Sequence, residues 1–293
     1  MKPSSPLLGP ILLAVVTAAG CSNPPPAANI REFPLTGEVL AIKPDRSEVQ
    51  VRHDEVKGFM DAMTMWFNIK DSRLLEGLAP GDLISATLVL TAEDSYLTGI
   101  RKTGSRPSGQ VPAAPDAAPP QAEALQVGDA VPDITFTDES GTERRLSSYR
   151  GSFTLITFIY TRCPLPDYCP RMNAHFAALQ RAIKAQPQLS RHVRLLSISF
   201  DPEFDTPAKL AAKAKEYGAD PQFWHFVTAP RDRVDPFGAK LGLSVLREGP
   251  GGQNLTHNLR TALLDRDGKL ARTYNGKEWS PDDVVGDLKA LVK

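Results

Sequence analysis

Two hydrophobic rhythms divide the chain. Between residues 38 and 100 apolar positions recur at every second residue in short runs: Glu38 to Ile42, Glu48 to His53, Leu83 to Leu90 and Tyr96 to Ile100. Turn compositions, Pro44-Asp-Arg-Ser47 and Pro80-Gly-Asp82, separate them. A period of two is that of a strand with one buried face. About five such strands in some seventy residues predict a small all-β barrel, OB-like, because closure removes exposed edges. From residue 125 the rhythm changes. Continuous apolar runs at Phe153 to Tyr160, Val193 to Phe200 and Phe223 to Val227 predict buried strands. Between them Met172, Phe176, Leu179 and Ile183 keep a helical stripe, and Thr206-Pro207 opens a helix ending near Gly218. Leu259 to Leu264 and Leu270 to Tyr274 flank Asp265-Arg-Asp-Gly268, a hairpin turn, and Ser280-Pro281 starts a last helix carrying Val284, Leu288 and Leu291. Parallel-type βαβ units followed by a hairpin and a helix make this half α/β.

The breaks set the organisation. Residues 104–124 hold Pro107, Pro112, Pro115, Pro119 and Pro120 among Ala, Ser, Gly and Gln, a composition that buries no core and acts as a spacer. At the other end, Lys2 precedes an apolar stretch from Leu7 to Ala19 that closes on Ala18-Ala19-Gly20-Cys21. That is a secretory signal, too short for a membrane span, and its ending resembles a bacterial lipobox with Cys21 as the acylated residue. An ordinary cleaved signal is the alternative. The expected plan is a lipoprotein signal peptide over 1–20, a tether over 21–32, a barrel domain over 33–103, a Pro/Ala-rich linker over 104–124 and an α/β domain over 125–293. The protein then faces the periplasm from a lipid anchor in the cell envelope, on either membrane. Lys+Arg 34 against Asp+Glu 34 leaves no basic field for nucleic acid.

With Cys21 set aside, two cysteines remain, Cys163 and Cys169, in Thr161-Arg-Cys-Pro-Leu-Pro-Asp-Tyr-Cys-Pro-Arg171. They sit between a buried strand and a helix start, where helix N–H groups favour thiolate over thiol. Such a pair makes a disulfide, structural or redox-active, or holds a soft metal. His257, in Leu255-Thr-His-Asn-Leu259, is the best third donor. His175 reads as a helix flank, His225 as strand packing and His192 as part of a polar connection. In the barrel half, three of the five methionines fall within Met60-Asp-Ala-Met63-Thr-Met65. Met63 and Met65 alternate, so on a strand both thioethers share a face that His53 could join. Thioethers select Cu(I); barrel core is the plainer alternative.

Two resemblances sharpen these readings. Gly37-Glu-Val39 through Gly81-Asp82, with His53 and Met63-Thr-Met65-Trp66-Phe67, is similar to the CusF-like periplasmic copper-binding domains of copper and silver efflux systems. The resemblance implies His53, Met63 and Met65 as Cu(I) ligands. In that family a Trp three residues before the first Met caps the ion; here Met60 stands there, a fourth sulfur or a filler, and Trp66 sits elsewhere. Residues 125–293 resemble the Sco/SenC family of thioredoxin-like copper chaperones. The carriers are Gly128-Asp-Ala-Val-Pro132, Phe158-Ile-Tyr-Thr-Arg-Cys163, Cys169-Pro170, Ser199-Phe-Asp-Pro-Glu-Phe-Asp-Thr-Pro207 and Thr256-His257 before Leu264-Asp-Arg-Asp-Gly268. This resemblance implies copper binding by Cys163, Cys169 and His257 for the CuA centre of cytochrome c oxidase, and thiol reduction of the target by the same cysteines. Asp201 and Asp205 fall in the family's acidic loop, and for Asp205 turn and cap chemistry is the preferred reading. Five residues lie between the cysteines where the family has three, through Leu165-Pro166; the loop is expected to bulge outward with the sulfurs still adjacent.

The leading expectation is thus a periplasmic Cu(I) metallochaperone without turnover, with Cu(II) as a further form of the cargo. Its partners would be the oxidase copper-binding subunit or another copper acceptor, a thiol-disulfide partner, and the membrane through the anchor. A thiol-disulfide oxidoreductase acting through Cys163 and Cys169, and copper sequestration for tolerance, are the alternatives. The linker lets the two domains meet, which would allow copper to pass between them.

Overall fold

The computed structural model describes residues 30–106, 124–248 and 254–292. The expected signal peptide with Cys21, and most of the tether and linker, lie outside these residues. Among the described residues no helix is long and apolar enough to cross a membrane.

The first body has strands β1 (Arg31–Ile42), β2 (Glu48–His53), β3 (Met63–Ile69), β4 (Asp82–Leu90) and β5 (Ser95–Ser105). They pair in the order β1-β2-β3-β5-β4, and β4 returns to β1, closing a barrel. Val39, Val49, Val51, Phe67, Ile84, Leu88 and Leu97 fill it. β1 runs seven residues further back than its alternating pattern shows, into the expected tether. Pro34 hides the extension, since a proline cannot donate to a ladder. It is tolerated because it pairs only with Thr87 of β4, and the β2 pairing begins later, at Gly37. Gly37 is obligatory there: a Cβ would stand 2.6 Å from the Arg52 carbonyl oxygen. β5 likewise extends to Ser105, two residues into the expected linker, because Leu83 and Asp82 pair with Gly104 and Ser105.

The second body carries a seven-stranded sheet. Its strands are β6 (Thr135–Asp138), β7 (Glu143–Arg145), β8 (Phe153–Ile159), β9 (Val193–Ser199), β10 (Trp224–Thr228), β13 (Arg260–Leu264) and β14 (Leu270–Asn275). The order is β14-β13-β8-β9-β10-β6-β7. β8, β9 and β10 are parallel and buried on both faces, which explains their continuous apolar runs. Helices α1 (Cys169–Lys184), α2 (Pro187–Ser190), α3 (Pro207–Glu216), α4 (Arg231–Lys240) and α5 (Pro281–Leu291) connect and cover it. This is the expected thioredoxin-like α/β plan, with the β13–β14 hairpin and α5 in place. α5 opens on a reciprocal capping box between Ser280 and Asp283. Thr206 stands at the head of α3 without making a side-chain cap bond. A separate ribbon, β11 (Val245–Glu248) with β12 (Asn254–His257), packs on β3 of the barrel.

Candidate metal centre

Each cysteine is placed by a different element. β8 ends at Ile159, and the chain then turns through Tyr160-Thr-Arg to Cys163, which is half-buried. Cys169 opens α1 and is 1 % exposed, with Pro170 filling a position that needs no N–H. Burial opposes charge on Cys163, but hydrogen bonds from the Cys169 thiol and backbone N–H outweigh it and hold the Cys163 pKa below the ordinary thiol value. Burial pushes the Cys169 thiol well up. The pair is therefore asymmetric: a more accessible thiolate-prone sulfur over a protonated, buried one.

His257 ends β12. Its Nδ1 donates to the Asn258 carbonyl at 2.8 Å, and its Nε2 stands 3.9 Å from the Cys169 sulfur. The ring packs on Phe200 (centroids 4.8 Å) and edge-on to Tyr160 (5.5 Å). Burial brings its pKa down to about 4, so the imidazole is neutral at pH 7, with an Nε2 lone pair free for a metal. His53 repeats the arrangement in the barrel. Its Nδ1 donates to the Asp54 carbonyl at 2.7 Å, burial lowers its pKa, and its Nε2 is buried without a partner. An orphaned buried nitrogen is costly unless something binds it. His53 faces Met63 across the β2–β3 pair, and Met65 follows on the same face. The soft donors and neutral imidazoles fit Cu(I).

The structure brings part of each donor set together, with His53 and Cys169 outside the shared lining. Met60, Met63, Met65 and Trp66 from the barrel, with Tyr160, Cys163, Tyr168 and His257 from the second body, line one narrow cavity. Met60 is also part of the barrel core, so it is filler and cavity wall at once. Trp66, which sequence placed outside the site, reaches the cavity because β3 itself lies on the interface. Among the described residues, the one trio of His, Cys or acidic donors already within 4.8 Å lies elsewhere, at Asp138, Glu139 and His225. Its carboxylates are taken up by Ser140, Thr142, Arg144, His225 and the Phe226 N–H. Cys163, Cys169 and His257 would thus have to draw closer to share one ion.

Several supporting residues act in ways the sequence did not specify. Asp205 is not a helix cap: it accepts from the Thr161 N–H (3.0 Å) and hydroxyl and from Ser199 Oγ (2.5 Å), anchoring the start of the cysteine loop. Asp201 holds Arg162 at 2.8 Å. The enlarged loop does not bulge into solvent as expected. Leu165 is buried in the barrel's hydrophobic cluster, and Asp167 is fully buried against barrel residues. Two separate patterns met in space here, which no local periodicity announces. His225 does pack in its strand, bound to Glu139, and His175 does flank α1, stacked edge-on to Trp279.

Residues 122–293 match the family model SCO1/SenC, and residues 32–102 match that of the copper binding periplasmic protein CusF. The chain is 33% identical over 162 residues to the SCO1 protein homolog of Bacillus subtilis (strain 168), covering 55% of this chain and 81% of that protein. Among solved structures it is similar to BsSco, a member of the Sco family of cytochrome c oxidase assembly proteins (32% identity, 58% of this chain, 95% of that chain, TM-score 0.48). It is also similar to copper-bound ScoI of Bradyrhizobium japonicum (25% identity, 56% and 99% covered, TM-score 0.47). With more than half its length matched by that model, and a CusF-type region ahead of it, the chain belongs to the SCO1/SenC family.

Proposed function

We propose that this protein is a Cu(I) metallochaperone of the bacterial envelope that carries two exchanging copper sites and delivers the metal for assembly of the CuA centre of cytochrome c oxidase. Sco-family membership links the chain to copper binding and oxidase assembly. The finer reading rests on one observation above all: the thioethers of Met63 and Met65 and, from the other set, Cys163 and His257 line a single cavity. His53, Met63 and Met65, with Met60 adjacent, would hold Cu(I) on the barrel side, and Cys163, Cys169 and His257 on the other. Neutral histidines with Nδ1 fixed on a carbonyl keep Nε2 available to a metal. Lipidation of Cys21 would keep the chain at the membrane beside its acceptor.

The asymmetry of the two thiols supports a second role, reduction of the acceptor's cysteines. There the Cys163 thiolate attacks the target disulfide, and Cys169 then displaces the target thiol, leaving Cys163–Cys169 oxidised. Complementation of a deletion strain tests the main reading. Loss of oxidase activity with copper tolerance intact is expected for both His257→Ala and Cys163→Ser. Lost tolerance with normal oxidase activity would favour sequestration, and a harmless His257→Ala would favour the reductase.

A further inference from the structure

The loop between the cysteines does more than join β8 to α1. Leu165 inserts among the barrel's core residues. Asp167, buried completely, accepts from Ser95 Oγ (2.6 Å) and Asn68 Nδ2 (2.8 Å) of the barrel and from Lys277 Nζ (2.6 Å) of its own body. Lys277 in turn donates to Asn68 Oδ1 at 2.7 Å. Tyr168, directly before Cys169, donates its hydroxyl to the Trp66 carbonyl at 2.8 Å. Thr256, directly before His257, donates to the Thr64 carbonyl, between Met63 and Met65. Every one of these fastenings sits within a few residues of a candidate copper ligand. A connection serving only its own sheet has no need to bury a carboxylate in another body, where an unpaired charge is heavily penalised.

We propose that Leu165 to Tyr168 form a latch that fastens the barrel over the dithiol. While it is closed, copper passes between the two sites inside the shared cavity. Cys163 is presented to an outside protein only when the barrel lifts. This rests on the two-site reading above. In the exchange Cu(I) keeps its oxidation state: a thioether leaves as the Cys163 sulfur joins, and the proton of the Cys163 thiol goes to water as it binds. The water route is a wider, more open groove, which shares Met60, Met63, Tyr160 and Pro164 with the cavity and adds Glu55, Asp61 and Arg162. Small species pass there, whereas a folded acceptor needs the latch open.

The test uses the full chain, reduced and copper-free. Modification of Cys163 is followed by peptide mapping with iodoacetamide and with a bulky polyethylene-glycol maleimide. Asn68→Ala/Ser95→Ala opens the latch from the barrel side, away from both donor sets. We expect the bulky reagent to gain at least about tenfold in rate, the loss of a pair of buried hydrogen bonds, while iodoacetamide stays within about twofold. Tyr168→Phe, which removes one hydroxyl, should give an intermediate gain. Equal bulky-reagent rates in wild type and both variants overturn the latch. If iodoacetamide accelerates equally in the double variant, that variant is unfolding and Tyr168→Phe alone decides. Failure of the wild type to bind Cu(I) in a parallel titration would sink the two-site reading and leave the labelling result standing.

Discussion

Replacing Asp167 by alanine should separate the two bodies without unfolding either. The carboxylate is fully buried and has three donors, Ser95, Asn68 and Lys277, while the Lys277 side chain is only 13 % exposed. Removing it leaves the ammonium with only the Asn68 side-chain oxygen and the Tyr168 ring face. Breaking a buried pair from one side costs about 3–5 kcal/mol. At 1.4 kcal/mol per tenfold, that is a factor of about 10² to 10³ in the equilibrium between docked and undocked bodies. The penalty has a ceiling, because the barrel can lift away and let water reach Lys277. The chain then gives up docking rather than folding. Small-angle scattering on the full chain should show a compact wild type and an extended, two-body Asp167→Ala variant, with secondary structure by circular dichroism unchanged. Calorimetry should resolve one cooperative transition into two. A variant with the wild-type scattering profile and a single unshifted melting transition would refute the reasoning, since a carboxylate with these partners cannot be silent if it holds the bodies together.

Three further outcomes follow from single side chains. Asp205→Ala unties the Thr161 N–H and hydroxyl and Ser199, so about 2–4 kcal/mol of stability should be lost, with weaker Cu(I) binding at the dithiol; urea unfolding and chelator competition read both. Met63→Leu, a near volume-conserving swap on a half-buried position, should cost under about 1.5 kcal/mol in stability yet abolish the barrel's Cu(I) site, which isothermal titration separates from unfolding. Asp138 supplies a pH dependence. Burial pushes its carboxyl up, but Ser140, Arg144 and the Thr142 N–H hold it down at about 2. A folded pKa below the unfolded value of about 3.9 means stability that is complete above about pH 4 and lost as pH falls towards 2, about 2–3 kcal/mol in all. Unfolding free energies measured against pH should lose most of that slope in Asp138→Asn.

Much of the architecture was written in local pattern. The runs from Phe153 and Val193 are mostly apolar rather than alternating because β8 and β9 are covered on both faces. What escaped did so for physical reasons. β1 passes through Pro34, whose missing donor is harmless only because of where β2 begins. α4 contains Pro236 and buries little besides Val234 and Phe237, so it has no clear stripe. β6, β7 and the β11–β12 ribbon are too short for periodicity to register. The individual donors were legible, since sulfur and imidazole announce themselves by residue type. Their meeting was not. It depends on Leu165, Asp167 and Tyr168 finding partners about seventy to a hundred residues away in the chain, and nothing local to the loop encodes that.

Anaerobic Cu(I) titration of the reduced chain from Ser22 against a competing chelator tests the central claim most directly, with Cys163→Ser and Met63→Leu run alongside. Two tight equivalents in the wild type, with one lost in each variant, are the predicted result. One equivalent, abolished by Met63→Leu and untouched by Cys163→Ser, would contradict it: the dithiol would then carry no copper.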